Sequence, residues 1–103
     1  MDREERKELL LDMKSEAEEY GEEWAFNNLD DLDFWRDISY REFEGILARN
    51  DGGFLLTKDY DAIYDNCGVD PEDFEDIFLD SEIFEWAAKS AYKFFCNYDQ
   101  NKA

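Results

Sequence analysis

Ser81–Tyr98, SEIFEWAAKSAYKFFCNY, decides how this chain folds. On a period of 3.6 residues, Phe84, Ala87, Ala88, Ala91, Tyr92, Phe94, Phe95 and Tyr98 fall on one broad arc. An arc of that width suits a central helix covered by more than one neighbour. Ser81 is placed to cap it, which predicts a helix from Glu82 to about Tyr98. Trp86 falls near Lys93 and Asn97 on the opposite face. It is either an exposed anchor for a partner or a residue covered by the first helix or by Phe54–Leu56. Trp35 poses the same alternative.

Working outward, the other segments also read as helices. Asp70-Pro71 places an aspartate at a cap and a proline at the first helical position, and Phe74, Ile77 and Phe78 then face a core. Gly68 stops the preceding helix, predicted from Lys58 to about Asn66 behind a Thr57 cap, with Tyr60, Ile63, Tyr64 and Cys67 on one face. Phe54-Leu55-Leu56 is too short for its period to separate a strand fragment from the approach to that helix. Asn50-Asp51-Gly52-Gly53 is a break, because each glycine costs a helix interior about 1 kcal/mol; it is the expected point of greatest flexibility.

Ser39-Tyr40-Arg41-Glu42 has the spacing of a capping box, so a helix runs from about Tyr40 to Arg49 with Phe43, Ile46 and Leu47 inward. Asn27-Asn28 and Asp30-Asp31-Leu32-Asp33 read as a break and a short helical turn carrying Phe34 and Trp35. The first helix is predicted from about Asp2 to about Phe26, with Leu9, Met13, Ala17, Tyr20 and Trp24 on its inner face. Gly21 weakens that helix or ends a first segment of it. The expected fold is therefore all-α: one domain over residues 1–103, a compact bundle of about five helices around a central C-terminal helix.

Composition sets the second problem. The chain carries 29 Asp and Glu against 11 Lys and Arg, a net charge of −18, together with 44% hydrophobic and 17% aromatic residues. A disordered acidic tail has no such apolar surface to bury, so the chain is expected to fold. Self-repulsion opposes compaction, and the aromatic core has to outweigh it. The charge is not evenly spread. Residues 1–23 hold 10 acids and 4 bases, residues 24–49 hold 6 and 3, residues 50–81 hold 10 and 1, and residues 82–103 hold 3 and 3. The last helix is neutral, and Lys58 is the only base in the densest block.

Within that block Asp59, Asp61 and Asp65 alternate with Tyr60, Ile63 and Tyr64, and Asp70, Glu72, Asp73, Glu75, Asp76 and Asp80 surround Phe74, Ile77 and Phe78. Aromatic residues turned inward leave these carboxylates as a continuous outward sheet. On the first helix, Glu4, Glu18 and Glu22 gather around Leu11, flanked by Glu8 and Glu19, and like-charge pairs such as Glu18/Glu22 weaken an isolated helix. Helix stability alone would favour lysines there. Rigidly mounted carboxylates can imitate nucleic-acid phosphates and occupy the lysines and arginines of a DNA-binding groove. Asp59, Asp61, Asp65, Asp70, Glu72, Asp73, Glu75, Asp76 and Asp80, with Glu4, Glu18, Glu22 and Trp86, are the candidate partner-binding residues.

Other chemistry finds little support. Without histidine no Ser-His-Asp or Cys-His arrangement exists, and no GxSxG, P-loop or GxGxxG occurs. A non-enzyme without cofactor is expected. Cys67 and Cys96 form no CxxC and find no histidine for a zinc site, so they are expected as reduced thiols. No stretch fits a calcium loop: Asp65-Asn66-Cys67-Gly68 puts cysteine where an oxygen ligand is needed. A salt-adapted acidic surface would go with fewer bulky apolar residues than nine Phe, six Tyr and three Trp. The charged N-terminus and the lack of a long apolar run predict a cytoplasmic protein, neither secreted by a visible signal nor membrane-spanning.

Small size, strong acidity, missing histidine and helical aromatic packing resemble the phage-encoded anti-restriction and anti-CRISPR proteins, several of which mimic DNA. The resemblance is to a class, so no residue is carried over; it implies a host nuclease or nucleic-acid-binding complex as target, in a bacterial cytoplasm. Three readings follow. One is an inhibitor that binds a basic protein surface and does not itself bind nucleic acid or membrane. Another is a phage or plasmid accessory protein that docks through an aromatic patch around Trp86 or Trp35. The last is a protein that is not monomeric but dimerises through its amphipathic first helix.

Overall fold

The computed structural model describes residues 3–49, 53–68 and 79–98, with the side chains of Thr57, Leu79 and Asp80 left aside. Five α-helices are present and no strand occurs among the described residues: α1 (Arg3–Asn27), α2 (Leu32–Asp37), α3 (Tyr40–Ala48), α4 (Thr57–Asn66) and α5 (Leu79–Asn97), with a 3₁₀ turn over Leu29–Asp31. The chain is all-α, and α5 packs against α1, α2 and α3. The predicted helix after Asp70-Pro71, with Phe74, Ile77 and Phe78, lies outside the described residues, as do Asn50, Asp51 and Gly52.

The long α1–α5 pairing organises the rest. Met13, Ala17, Gly21, Trp24 and Ala25 are the buried residues of α1, and Ile83, Ala87, Ala88, Ala91 and Phe95 are those of α5. Gly21 does not end a first segment of α1, which runs unbroken through it. A Cβ at this position would collide with the carbonyl group of Ala87. Glycine therefore lets two helix backbones touch, a gain that offsets its propensity cost of about 1 kcal/mol. The inner face of α1 is turned slightly towards Gly21 and Ala25, leaving Leu9 and Tyr20 half-buried. This face is covered by α5 within the chain.

Trp24 is the centre of the core. Its ring stands edge-on to Trp35 (5.6 Å), Phe43 (6.2 Å), Phe54 (5.2 Å) and Phe95 (6.1 Å), so α1 meets α2, α3, the α3–α4 connection and α5 through one side chain. Such pairs contribute about 0.5–1.5 kcal/mol each beyond the area they bury. Trp35 is only 7% exposed and lies stacked 5.9 Å from Phe95, which removes it as a surface anchor. Tyr92 donates from its hydroxyl to the carbonyl of Ile38 at 3.0 Å and fixes the α2–α3 corner on α5.

Three helix starts refine the sequence reading. At α3 the expected cap is present: Ser39 Oγ accepts the Glu42 N–H at 3.3 Å. At α4 the N-cap is Leu56 and not Thr57. The shift by one residue follows from Asp59, whose Oδ2 accepts the Leu56 N–H at 2.9 Å and satisfies a free amide of the first turn from within the helix. At α5 the helix already includes Leu79 and Asp80, so Ser81 is inside it and does not cap it. Burial of Ile83, which the sequence arc left out, gives the first turns a core contact, and packing outweighs the cap signal.

Phe54-Leu55-Leu56 is a tight turn and not a strand. Phe54 and Leu55 are buried, and Leu55 adopts a φ of 44°, a conformation that costs a branched side chain about 1 kcal/mol or more. Burial of the two side chains and a hydrogen bond from the Leu55 N–H to Tyr20 hold it there. After α4, Gly68 takes the left-handed conformation at φ 68°, and its N–H donates to the Asp65 carbonyl at 3.0 Å, the stop that the sequence predicts.

Candidate functional site

α1 has two acidic flanks, and they face different neighbours. Glu16, Glu19 and Glu23 stand beside Asp59, Ala62 and Asn66 of α4 along a groove of about 270 Å³. Asn66 Nδ2 donates across it to Glu16 Oε2 at 3.4 Å. Asp12 belongs to the same row, since positions 12, 16, 19 and 23 recur every three or four residues, next to the buried row of Met13, Ala17 and Trp24. On the outer side of α4, Asp61 and Asp65 are exposed. The row on α1 contains no base, and Lys58 is the only base of α4.

Glu18 and Glu22 lie on the other flank. They line a groove with Lys89 and Lys93 of α5 and the aromatic pair Phe94 and Tyr98. Ser90 Oγ, at its floor, donates to the Glu18 carbonyl at 2.8 Å. Two of the three α1 residues proposed from sequence are therefore set against lysines, whereas the α1 acids that line the groove with α4 are Glu16, Glu19 and Glu23, with Asp12 further along the same row. Their spacing was readable: each precedes or follows a core position of α1 on the side where α4 lies. What the sequence lacked was the side on which α4 lies.

The remaining candidates separate into groups. Asp59 is at the groove, but its Oδ2 already accepts from Tyr20 OH at 3.0 Å and from the Leu56 N–H, so it is a structural carboxylate. Glu4 is exposed on the first turns of α1. Trp86 is half-buried against the core cluster. Asp80 lies in α5 with its side chain undescribed, and Asp70, Glu72, Asp73, Glu75 and Asp76 lie outside the described residues.

Two neutral acids lie along the groove. Burial, first, and then Glu16 and Asp12 push the Cys67 thiol up. Tyr20 is pushed up to about 12 by burial, and then by the Asp59 and Glu23 carboxylates, against the lowering effect of the Leu55 N–H. Burial is the first cause of both shifts, and the neighbouring carboxylates add to it. Cys67 and Cys96 are free thiols, Cys67 half-buried at the end of α4 and Cys96 exposed. Among the described residues no group of three or more carboxylates or thiols is arranged to hold a metal ion. No described helix is long and apolar enough to cross a membrane.

Among the described residues the exposed large apolar side chains are Leu11, Phe26, Phe34 and Leu56, with Phe26 63% and Phe34 51% exposed. Both phenylalanines escaped the sequence reading, which took its surface aromatics from tryptophan. No protein-family model, curated protein or solved structure matches the chain.

Proposed function

We propose that this chain is an acidic inhibitor that occupies the basic nucleic-acid-binding surface of a DNA-processing or defence protein, using its carboxylates in place of phosphates. The observation that carries this reading is the base-free row Asp12, Glu16, Glu19 and Glu23 on α1, of which Glu16, Glu19 and Glu23 line a groove against α4, with Asp61 and Asp65 exposed on the outer side of that helix. On a helix, that row carries one charge per about 4.5–6 Å, against one phosphate per about 3.4 Å of axis on a DNA strand. Asp61 and Asp65 on the neighbouring helix raise the density. Helices pack about 8–10 Å apart, a separation between the widths of the minor and major grooves, about 6 and 12 Å.

Rigidity matters as much as charge. The tie from Tyr20 to Asp59 and the packing of Phe54 against Trp24 fix α4 on α1 in the free protein. A preformed charge array loses little freedom when it docks. The class to which small acidic phage anti-defence proteins belong supplies the kind of target: a nuclease complex with a groove of lysines and arginines. The test is capture of partners from a bacterial lysate at low and high salt, with duplex DNA as competitor. Displacement by both salt and duplex supports the proposal.

A second reading, a non-catalytic accessory protein that docks through aromatic side chains, is favoured by the exposure of Phe26 and Phe34. Under that reading Phe26→Ala and Phe34→Ala abolish capture, and charge reversal along Glu16, Glu19 and Glu23 does not.

A further inference from the structure

The groove between α1 and α5 has an unusual charge pattern for a chain with a net charge of −18. One wall, from α1, presents Glu18 and Glu22; the other, from α5, presents Lys89 and Lys93; Phe94 and Tyr98 stack on each other along it, with ring centroids 5.7 Å apart. Among the described residues no ion pair closes across it; Lys89 pairs instead with Glu85 of its own helix at 2.7 Å, an exposed pair worth little by itself. The groove has a volume of about 530 Å³ and is open to solvent.

We infer that this groove is the contact surface of a symmetric homodimer. A two-fold axis lying along the groove turns the α1 wall of one copy onto the α5 wall of the other. Glu18 and Glu22 then meet Lys89 and Lys93 of the second copy, and the reverse, so the pattern is complementary to itself. Phe94 and Tyr98, half-buried in the monomer, supply aromatic area at the centre.

Charge selects this face over the others. Two copies repel wherever acids dominate, whereas residues 82–103 hold 3 acids and 3 bases. At physiological ionic strength, interactions between exposed charges fade beyond about 8 Å, so the local pattern at the contact outweighs the distant net charge. The α5 helix of 19 residues is about 28 Å long. A contact along it is at the small end of specific interfaces, and the dimer is expected to dissociate on dilution. The acidic row facing α4 stays open, so dimerisation is separable from the proposed inhibition.

Sedimentation equilibrium of the full chain over a range of concentrations tests this. The wild type is expected to pass from 12.3 kDa to twice that mass. The Lys89→Glu/Lys93→Glu variant and the Glu18→Lys/Glu22→Lys variant each place like charges across the axis and are expected to weaken self-association roughly tenfold or more. Mixed in equal amounts, the two variants are expected to regain the doubled mass, because each wall again meets its opposite; helical circular dichroism checks that both fold. A wild type of single mass throughout, as expected if residues 99–103 of the same chain or a foreign peptide fill the groove, overturns the proposal. So does a doubled mass that neither variant reduces, or a mixture that fails to recover it.

Discussion

Tyr20 donates from its hydroxyl to Asp59 Oδ2 at 3.0 Å and accepts the Leu55 N–H at 3.1 Å, so a single phenol joins the middle of α1 to the strained turn and to the start of α4. Tyr20→Phe removes both bonds and strands the Leu55 amide. The expected loss of stability is about 1–2 kcal/mol in urea unfolding, with secondary structure retained. A loss below about 0.3 kcal/mol would mean that the tie does not hold α4 in place.

The same phenol makes stability depend on alkaline pH. Its folded pKa of about 12 is above the ordinary 10.0, so the folded state holds the proton more tightly. The contribution is complete below about pH 10 and is lost as pH rises towards 12. Thermal melts between pH 9 and pH 12 are expected to fall more steeply for the wild type than for Tyr20→Phe, with the partial exposure of the ring keeping the difference modest.

Gly21→Ala separates helix propensity from helix contact. Propensity alone favours alanine by about 1 kcal/mol. Because a Cβ there meets the backbone of Ala87, the substitution is expected to destabilise by about 2–4 kcal/mol and to lower the thermal midpoint accordingly. A stabilised variant would show that α1 and α5 lie further apart.

The two thiols read the field of the α1–α4 groove. Cys96 is exposed, whereas Cys67 is half-buried with its pKa pushed up by burial, Glu16 and Asp12. Iodoacetamide at neutral pH is expected to label Cys96 well before Cys67, since the thiolate is the reactive form. Glu16→Gln is expected to speed labelling of Cys67 and leave Cys96 unchanged, as judged by mass spectrometry of the peptides. Equal rates in both proteins would contradict the negative potential.

Much of this architecture is legible in the sequence. The periods of α1 and α3, the Ser39 cap and the Gly68 stop are local features, and each is found within one residue of its expected place, whereas α5 includes Leu79, three residues before its expected start. The misreadings share a cause, since they depend on what packs where. Gly21 reads as a helix breaker until Ala87 is beside it. Leu56 becomes a cap because Asp59 reaches back to it, and the open alternative at Trp35 is decided by the packing of Phe95 against it. For the candidate site, the sequence places acids on both flanks of α1 but not the side on which α4 lies: Glu16, Glu19 and Glu23 line the groove with α4, and Glu18 and Glu22 line the groove with α5. Phe26 and Phe34 carry no sequence signal that separates them from the core phenylalanines.

The central claim is that carboxylates facing α4 substitute for phosphates, and a comparison of two charge reversals tests it most directly. Capture of partners from a bacterial lysate is measured with the wild type, with Glu16→Lys/Glu19→Lys/Glu23→Lys, and with Glu18→Lys/Glu22→Lys, over a series of salt concentrations and with competing duplex DNA. The expected result is capture that falls linearly in log affinity with log salt, yields to duplex DNA, and is lost in the first variant but largely kept in the second. Capture that is insensitive to salt and to duplex DNA, or that survives reversal at Glu16, Glu19 and Glu23, would contradict it.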